Sequence, residues 1–257
     1  MVTFFSDIDN TLLFSHHREI EGKKLCVERL KGREQGYVTQ YTYDVLKVVE
    51  DIALVPVTTR TELQYDRISE FFSKLGVRYA LICNGGELLV DGQIDLMWHD
   101  ESLELAKMEL SAVIDAGNSL KQYVDQSKIH FVKEYLIYAT VENPENIALL
   151  ISNGVDIEKV YVGFDSRKIY IIARSINKGD SIKRLQKKLG IKKTIAAGDS
   201  DFDISMLNIA DIALIPKNLI GKVNNRNTIL IDEGIFSNGI CSFLKYEYGE
   251  IIDDSEY

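Results

Sequence analysis

Short apolar runs alternate with amphipathic stretches along most of the chain. Residues 2–6 (Val-Thr-Phe-Phe-Ser), 53–57 and 79–83 are almost continuously apolar, and the first runs straight into acid at Asp7. Such runs read as strands buried on both faces. Residues 42–51 and 61–75 carry apolar side chains at helical spacing instead, Val45, Leu46, Val48 and Val49 in one and Ile68, Phe71, Phe72 and Leu75 in the other. Thr42 is read as the N-cap of the first helix, and Gly76 closes the second. Residues 24–40 alternate in short stretches around Gly32 and Gly36 and predict a hairpin or flap. Strand–helix alternation of this kind predicts a parallel sheet with both faces covered.

The rhythm changes at residue 87. Residues 87–95 read as a hairpin turning at Asp91-Gly92, and 101–124 as one long helix. Residues 129–141 and 159–173 have the pattern of antiparallel strands, with a helix over 144–153 between them. The first rhythm then returns: a helix over 178–189, a strand over 194–197, a helix after Asp201, and strands over 212–215 and 228–231. The expected class is α/β, a Rossmann-like parallel-sheet core from residues 1–86 and 176–257 with an inserted α+β unit at 87–175.

Composition narrows the function. Apolar residues make up 46% of the 257, enough for a full core, and no run approaches the length of a membrane span. The three cysteines, Cys26, Cys83 and Cys241, are scattered, which fits reduced thiols better than a disulfide framework or a metal knot. The N-terminal segment lacks a basic stretch and is not read as a signal peptide, so a cytoplasmic location is expected. With 30 basic and 39 acidic residues the net charge is −9, which argues against nucleic acid as a partner. Five of the acids lie in residues 247–257, read as a frayed, solvated end.

The candidate chemistry lies at strand ends. Asp7-Ile8-Asp9-Asn10-Thr11 follows the first strand, where loops of a parallel sheet build sites. Two carboxylates two residues apart repel unless a cation joins them, and magnesium suits hard oxygen ligands. The alternative is a turn or helix cap. Val57-Thr58-Thr59-Arg60 ends the second strand, and its alternative is again a cap. Lys178 opens a helix, where its charge opposes the helix dipole. Gly198-Asp199-Ser200-Asp201-Phe202-Asp203 follows the fourth strand.

In this order the four segments resemble the motifs of the haloacid dehalogenase superfamily: Asp-x-Asp-x-Thr at Asp7, Asp9 and Thr11, a Ser or Thr at Thr58, a Lys at Lys178, and Gly-Asp-x-x-x-Asp at Gly198, Asp199 and Asp203. Asn84-Gly85-Gly86-Glu87 and residues 169–185 resemble the Cof-like and sucrose-phosphatase-like branch, in which the insert is a substrate-selecting cap. The resemblance implies a magnesium-dependent phosphatase acting on a small phosphorylated metabolite such as a sugar phosphate. Asp7 would be the nucleophile and Asp9 the general acid and base. Asp7, Asp9, Asp199 and Asp203 would serve the metal, and Thr11, Thr58, Thr59, Arg60, Asn84 and Lys178 would surround phosphate and substrate. A phosphomutase with the same core chemistry, or a retired binding module, shares these motifs. A monomer or homodimer without membrane attachment is expected. Two positions depart from the branch: Thr59 replaces its usual Gly, and Phe202 its usual Asn. Arg60, beside the expected phosphate pocket, is a candidate for a second anionic group on the substrate. His16 and His17 are read as solvent-facing.

Overall fold

The structure, a computed structural model, describes residues 1–20 and 22–249, so most of the acidic tail lies outside the described residues. Strand β1 (Val2–Ser6) is buried along its whole length. The loop after it leads to β2 (Phe14–Ser15), β3 (Lys24–Leu30) and β4 (Arg33–Thr39), an antiparallel sheet in the order β2-β4-β3. Next come α1 (Gln40–Val48), β5 (Ile52–Pro56) and α2 (Glu62–Lys74). A second antiparallel sheet joins β6 (Tyr79–Ile82), β7 (Glu87–Val90) and β8 (Gln93–Ile94). Helices α3 (Leu96–Ala106) and α4 (Leu110–Ser119) precede β9 (Ile129–Lys133), β10 (Leu136–Thr140), α5 (Pro144–Ser152), β11 (Val160–Asp165) and β12 (Lys168–Ala173). The chain returns through α6 (Lys178–Leu189), β13 (Thr194–Ala197), α7 (Ile204–Ile209), β14 (Ile212–Ile215), β15 (Thr228–Leu230) and α8 (Phe236–Tyr248).

The central sheet runs β15-β14-β13-β1-β5, and every pairing in it is parallel. Alternation along β1 sends Phe4 to a face packed by Phe236, Ile240 and Leu244 of α8. Phe5 points to the other face, against Ile182 and Leu185 of α6 and Met206 and Leu207 of α7. Burying each such side chain contributes roughly 1.5–3 kcal/mol, so both faces anchor the strand that carries Asp7. The α/β class with a parallel core is as expected, and further antiparallel sheets accompany it. Among the described residues no helix is long and apolar enough to cross a membrane.

Several local readings need correction. Helix α1 starts earlier than expected: its N-cap is Thr39, whose hydroxyl accepts from the Thr42 amide at 3.0 Å. Thr42 lies inside the helix, buried, and donates to Ser237 of α8. Neither Thr58 nor Thr59 caps α2; Thr61 does, with Gln64 completing a capping box. β6 is not a full member of the parallel sheet. It touches β5's extension at one parallel bridge, Val57–Leu81, and otherwise ladders antiparallel with β7.

The long helix expected over 101–124 is two helices. They break where the Glu109 carboxylate accepts from the Ser175 amide and hydroxyl, at 3.0 and 2.8 Å. The two halves face different partners. Trp98 of α3 joins the core cluster with Phe5 and Leu185, while Gly117 of α4 lies against Ile137 of the four-stranded sheet β11-β12-β10-β9. Ala106, at the end of α3, already shares a cluster with Val113 and Ala116 of α4. The residue-86/87 boundary falls inside the β6–β7 connection, with the hairpin and α3 packed on the core side.

Candidate active site

The carboxyl end of β1 brings the sequence motifs together. The Asp7 amide donates to Ala197 of β13 at 2.9 Å, which seats the residue against the next strand. The chain then turns sharply, with the amides of Leu12 and Leu13 both donating to the Ile8 carbonyl. Asn10 takes φ 60°, a conformation Asn tolerates better than most residues.

Lys178, 1% exposed, reaches from the start of α6 to Asp7 Oδ1 at 2.5 Å and Asp203 Oδ1 at 2.6 Å. Its partners outweigh the burial that opposes its charge and hold it firmly protonated. Asp203 is saturated by the chain around it: its second oxygen accepts from the amides of Asp199 and Ser200 and from the Ser200 hydroxyl. The adjoining Gly198 has no room for a Cβ, which would lie 2.4 Å from the Asp203 side chain. Asp199 is held by the Thr11 hydroxyl at 3.1 Å. Thr11 therefore orients an acid, whereas phosphate contact was expected of it.

Asp7, Asp199 and Asp203 present oxygens within 4.8 Å of one another around a single lysine. Burial, then its acidic neighbours Asp203 and Asp165, push the Asp199 carboxyl up to about 7. Asp7 is also raised well above the usual carboxylate range, by burial foremost and against the pull of Lys178. Hard oxygens with unbalanced negative charge are the donor set of a magnesium-like ion, so the residues present fit that cation. Asp203 is engaged at both oxygens, Oδ1 by Lys178 and Oδ2 by residues 199–200, and so positions Lys178 and the Asp199 loop.

Asp9 points elsewhere. Arg60 clasps it in a two-pronged pair, Nε to Oδ2 at 2.8 Å and Nη2 to Oδ1 at 2.7 Å. Burial alone would raise the Asp9 carboxyl; the charge and hydrogen bonds of Arg60 overcome this and lower it. The same guanidinium contacts buried Glu28 at 2.9 Å, and Glu28 also pairs with Arg67 at 3.0 Å. Arg60 is thus engaged within the protein rather than free for a substrate anion. Glu28 escaped the sequence reading because it belongs to no motif. It is admitted by a bulge in β3 opposite Gly36, where a Cβ would come within 3.2 Å of it.

Thr58, fully buried, accepts from the Arg60 amide at 3.1 Å, which leaves its hydroxyl proton available. Thr59 is only partly buried, near the Tyr170 hydroxyl. Asn84, at φ 61°, donates to the Ile176 carbonyl at 3.0 Å, so it ties the core to the point where the insert returns. A cleft of about 450 Å³ opens above Asp9, walled by Arg60, Arg67, Arg167, Lys168 and Tyr170. His16 and His17 are exposed at its rim, as expected for solvent-facing residues. Phe202, in the position of the usual Asn, is buried edge-on between Tyr161 and Tyr170, with ring centroids 5.3 and 5.2 Å away.

The chain thus combines a parallel α/β core with an acid–lysine cluster at the carboxyl end of its first strand. A profile of haloacid dehalogenase-like hydrolases matches residues 113–244, and the chain belongs to that family. Among curated proteins it is 27% identical over 182 residues to a phosphoglycolate phosphatase of Sulfurisphaera tokodaii, covering 69% of this chain and 70% of that one. Its fold is similar to the sucrose-phosphatase of Synechocystis sp. PCC6803, with a TM-score of 0.62 at 17% identity over 95% of this chain and 97% of the other. It is similar also to a phosphatase of the same superfamily from Bacteroides thetaiotaomicron, with a TM-score of 0.58 at 18% identity over 96% and 94%.

Proposed function

We propose that this hydrolase is a magnesium-dependent phosphatase that hydrolyses a small phosphomonoester through an aspartyl phosphate on Asp7. The observation that carries the reading is the Asp7–Lys178–Asp203 chain beside Asp199, set at the carboxyl ends of β1 and β13. Asp7 attacks phosphorus, and the bond to the leaving oxygen breaks. Asp9 gives that oxygen its proton, then takes one from the water that hydrolyses the aspartyl phosphate. Lys178 and the Thr58 hydroxyl hold the phosphate oxygens and offset their charge. The carboxylates of Asp7 and Asp199 and the carbonyl of Asp9 would hold magnesium. Bound there, the ion draws charge from the phosphate oxygens and screens nucleophile from substrate.

The curated relative is a phosphoglycolate phosphatase and the structural neighbours include a sucrose-phosphatase, which supports a small phosphorylated metabolite as substrate. The four-stranded sheet with α4 and α5, about residues 108–174, acts as the cap that covers the site and selects the leaving group. Its support is the packing division at Glu109 and Ser175. Phosphate release from p-nitrophenyl phosphate is expected to fall below about a hundredth in excess chelator and to return with added magnesium. Undiminished release in chelator overturns the reading.

The Arg60 clasp adds a pH signature. Arg60 lowers the Asp9 carboxyl, so Arg60→Gln raises it and Asp9 ionises only at higher pH. p-Nitrophenolate departs without a proton, so kcat with this ester reports Asp9 as a base. The acid limb of its pH profile is expected to move upward in Arg60→Gln, by roughly one unit for each 1.4 kcal/mol of lost pairing. An unmoved limb removes Asp9 from the water-activating step.

A further inference from the structure

One wall of the cleft above Asp9 carries positive charge that no acid among the described residues pairs within 4.0 Å, although Asp9 and Asp165 line the same space. Arg60 and Arg67, lower in the cleft, are engaged by Asp9 and Glu28. Overhead, the turn between β11 and β12 presents Arg167 and Lys168. Neither makes an ion pair within 4.0 Å among the described residues, and the Lys168 ammonium has only the Tyr138 ring beneath it, 5.6 Å from its centroid. Asp165, the acid on the same turn, accepts from the Ser166 hydroxyl instead. Lys168 is half-buried, and burial pulls its pKa down while Asp9 partly restores it. An unpaired cation held out of water destabilises the fold unless a counter-charge arrives. That such a charge persists in the cleft of a protein with net charge −9 points to a ligand that completes it.

The direction is given by Asp9. On the proposed function, on which this inference rests, the leaving oxygen sits at Asp9. Whatever is attached to it projects into the cleft toward Lys168, since both line the same space of about 450 Å³. A neutral sugar hydroxyl there would leave the ammonium uncompensated. We propose that Lys168, with Arg167 beside it, receives a second anionic group on the leaving group, so that the preferred substrates are phosphate esters of small hydroxy acids or bisphosphates. The role expected of Arg60 from its sequence position thereby falls to the cap, because Arg60 is already paired.

The test separates binding from turnover. Calorimetric titration of Asp7→Asn with magnesium reads affinity without hydrolysis, using 3-phosphoglycerate and glycerol 3-phosphate, which differ by a carboxylate against a hydroxymethyl group. The carboxylate ligand is expected to bind at least tenfold tighter, which is about the weight of one charge-assisted contact. Adding Lys168→Met should cost the acid at least tenfold and the alcohol less than threefold, while Lys168→Arg keeps the preference. Fructose 1,6-bisphosphate against fructose 6-phosphate distinguishes a second phosphate from a carboxylate as the favoured anion; preference in either pair that is lost in Lys168→Met supports the proposal. Equal binding within both pairs overturns it, as does a preference that survives Lys168→Met. Lys168→Gln repeats the measurement if the Met variant melts early. Failure of the phosphatase reading shows separately, as absence of magnesium-dependent phosphate release from p-nitrophenyl phosphate by the unsubstituted protein.

Discussion

Asp7→Asn is expected to lower kcat by more than a thousandfold, a barrier increase of about 4 kcal/mol, while the protein stays folded. The amide has the shape of the carboxylate but neither attacks phosphorus nor carries charge to a metal. The fold should not suffer, because Asp7 is a strained charge: burial pushes its carboxyl upward despite Lys178. Its neutral replacement leaves Lys178 paired with Asp203. Thermal unfolding without metal should therefore occur at the same temperature or higher, and magnesium should raise it less than in the unsubstituted protein. Retention of more than about a tenth of kcat would assign the nucleophile elsewhere.

The second large effect concerns stability as well as rate. Lys178→Met keeps the length of the side chain and removes the one cation between Asp7 and Asp203. Two buried carboxylates then face each other without the cation between them, a loss of about 3–5 kcal/mol when a buried pair is broken. For a chain of this size each kcal/mol moves Tm by roughly 2–4 °C. The sign with pH follows from the shift. Without Lys178 the folded Asp7 carboxyl, already raised by burial, lies still further above its unfolded value, so a proton is taken up on folding. The deficit is therefore greatest at neutral pH and shrinks as pH falls toward the ordinary carboxylate range. Melting curves at pH 7 and pH 4.5 check it. A deficit independent of pH would mean that the lysine acts through packing alone. Phosphate release should be lost too, since Asp7 loses the group that orients it.

The site was legible in the sequence where its parts are local. Asp7 and Asp9 follow a buried strand, Lys178 opens a helix capped by Asn177, and Asp203 binds amides within four residues of itself. Such relations survive projection onto one dimension. What could not be read depends on segments far apart meeting in space. Glu28 reaches Arg60 and Arg67 only because β3 folds back against α2, and Lys168 shares a cleft with Asp9 only because the four-stranded sheet lies there. The break at 107–109 has the same origin. Residues 101–124 keep a helical pattern throughout, but Ser175, in the turn after β12, captures the Glu109 carboxylate where the two helices meet. Thr42 misled because Thr39 lies one turn earlier with the same chemistry, and only the backbone distinguishes them.

The aromatic wedge at Phe202 links two segments of the chain. The ring belongs to the loop that carries Asp199 and Asp203, yet it packs on Tyr161 and Tyr170 of the overlying sheet. Separating that sheet from the acid loop would unseat this ring, so any such opening would be felt at Asp199 and Asp203. Edge-to-face contacts contribute roughly 0.5–1.5 kcal/mol apiece beyond burial. Two of them together favour the packed arrangement by roughly five- to 150-fold. Phe202 thereby couples the position of the acid loop to that of the sheet above it.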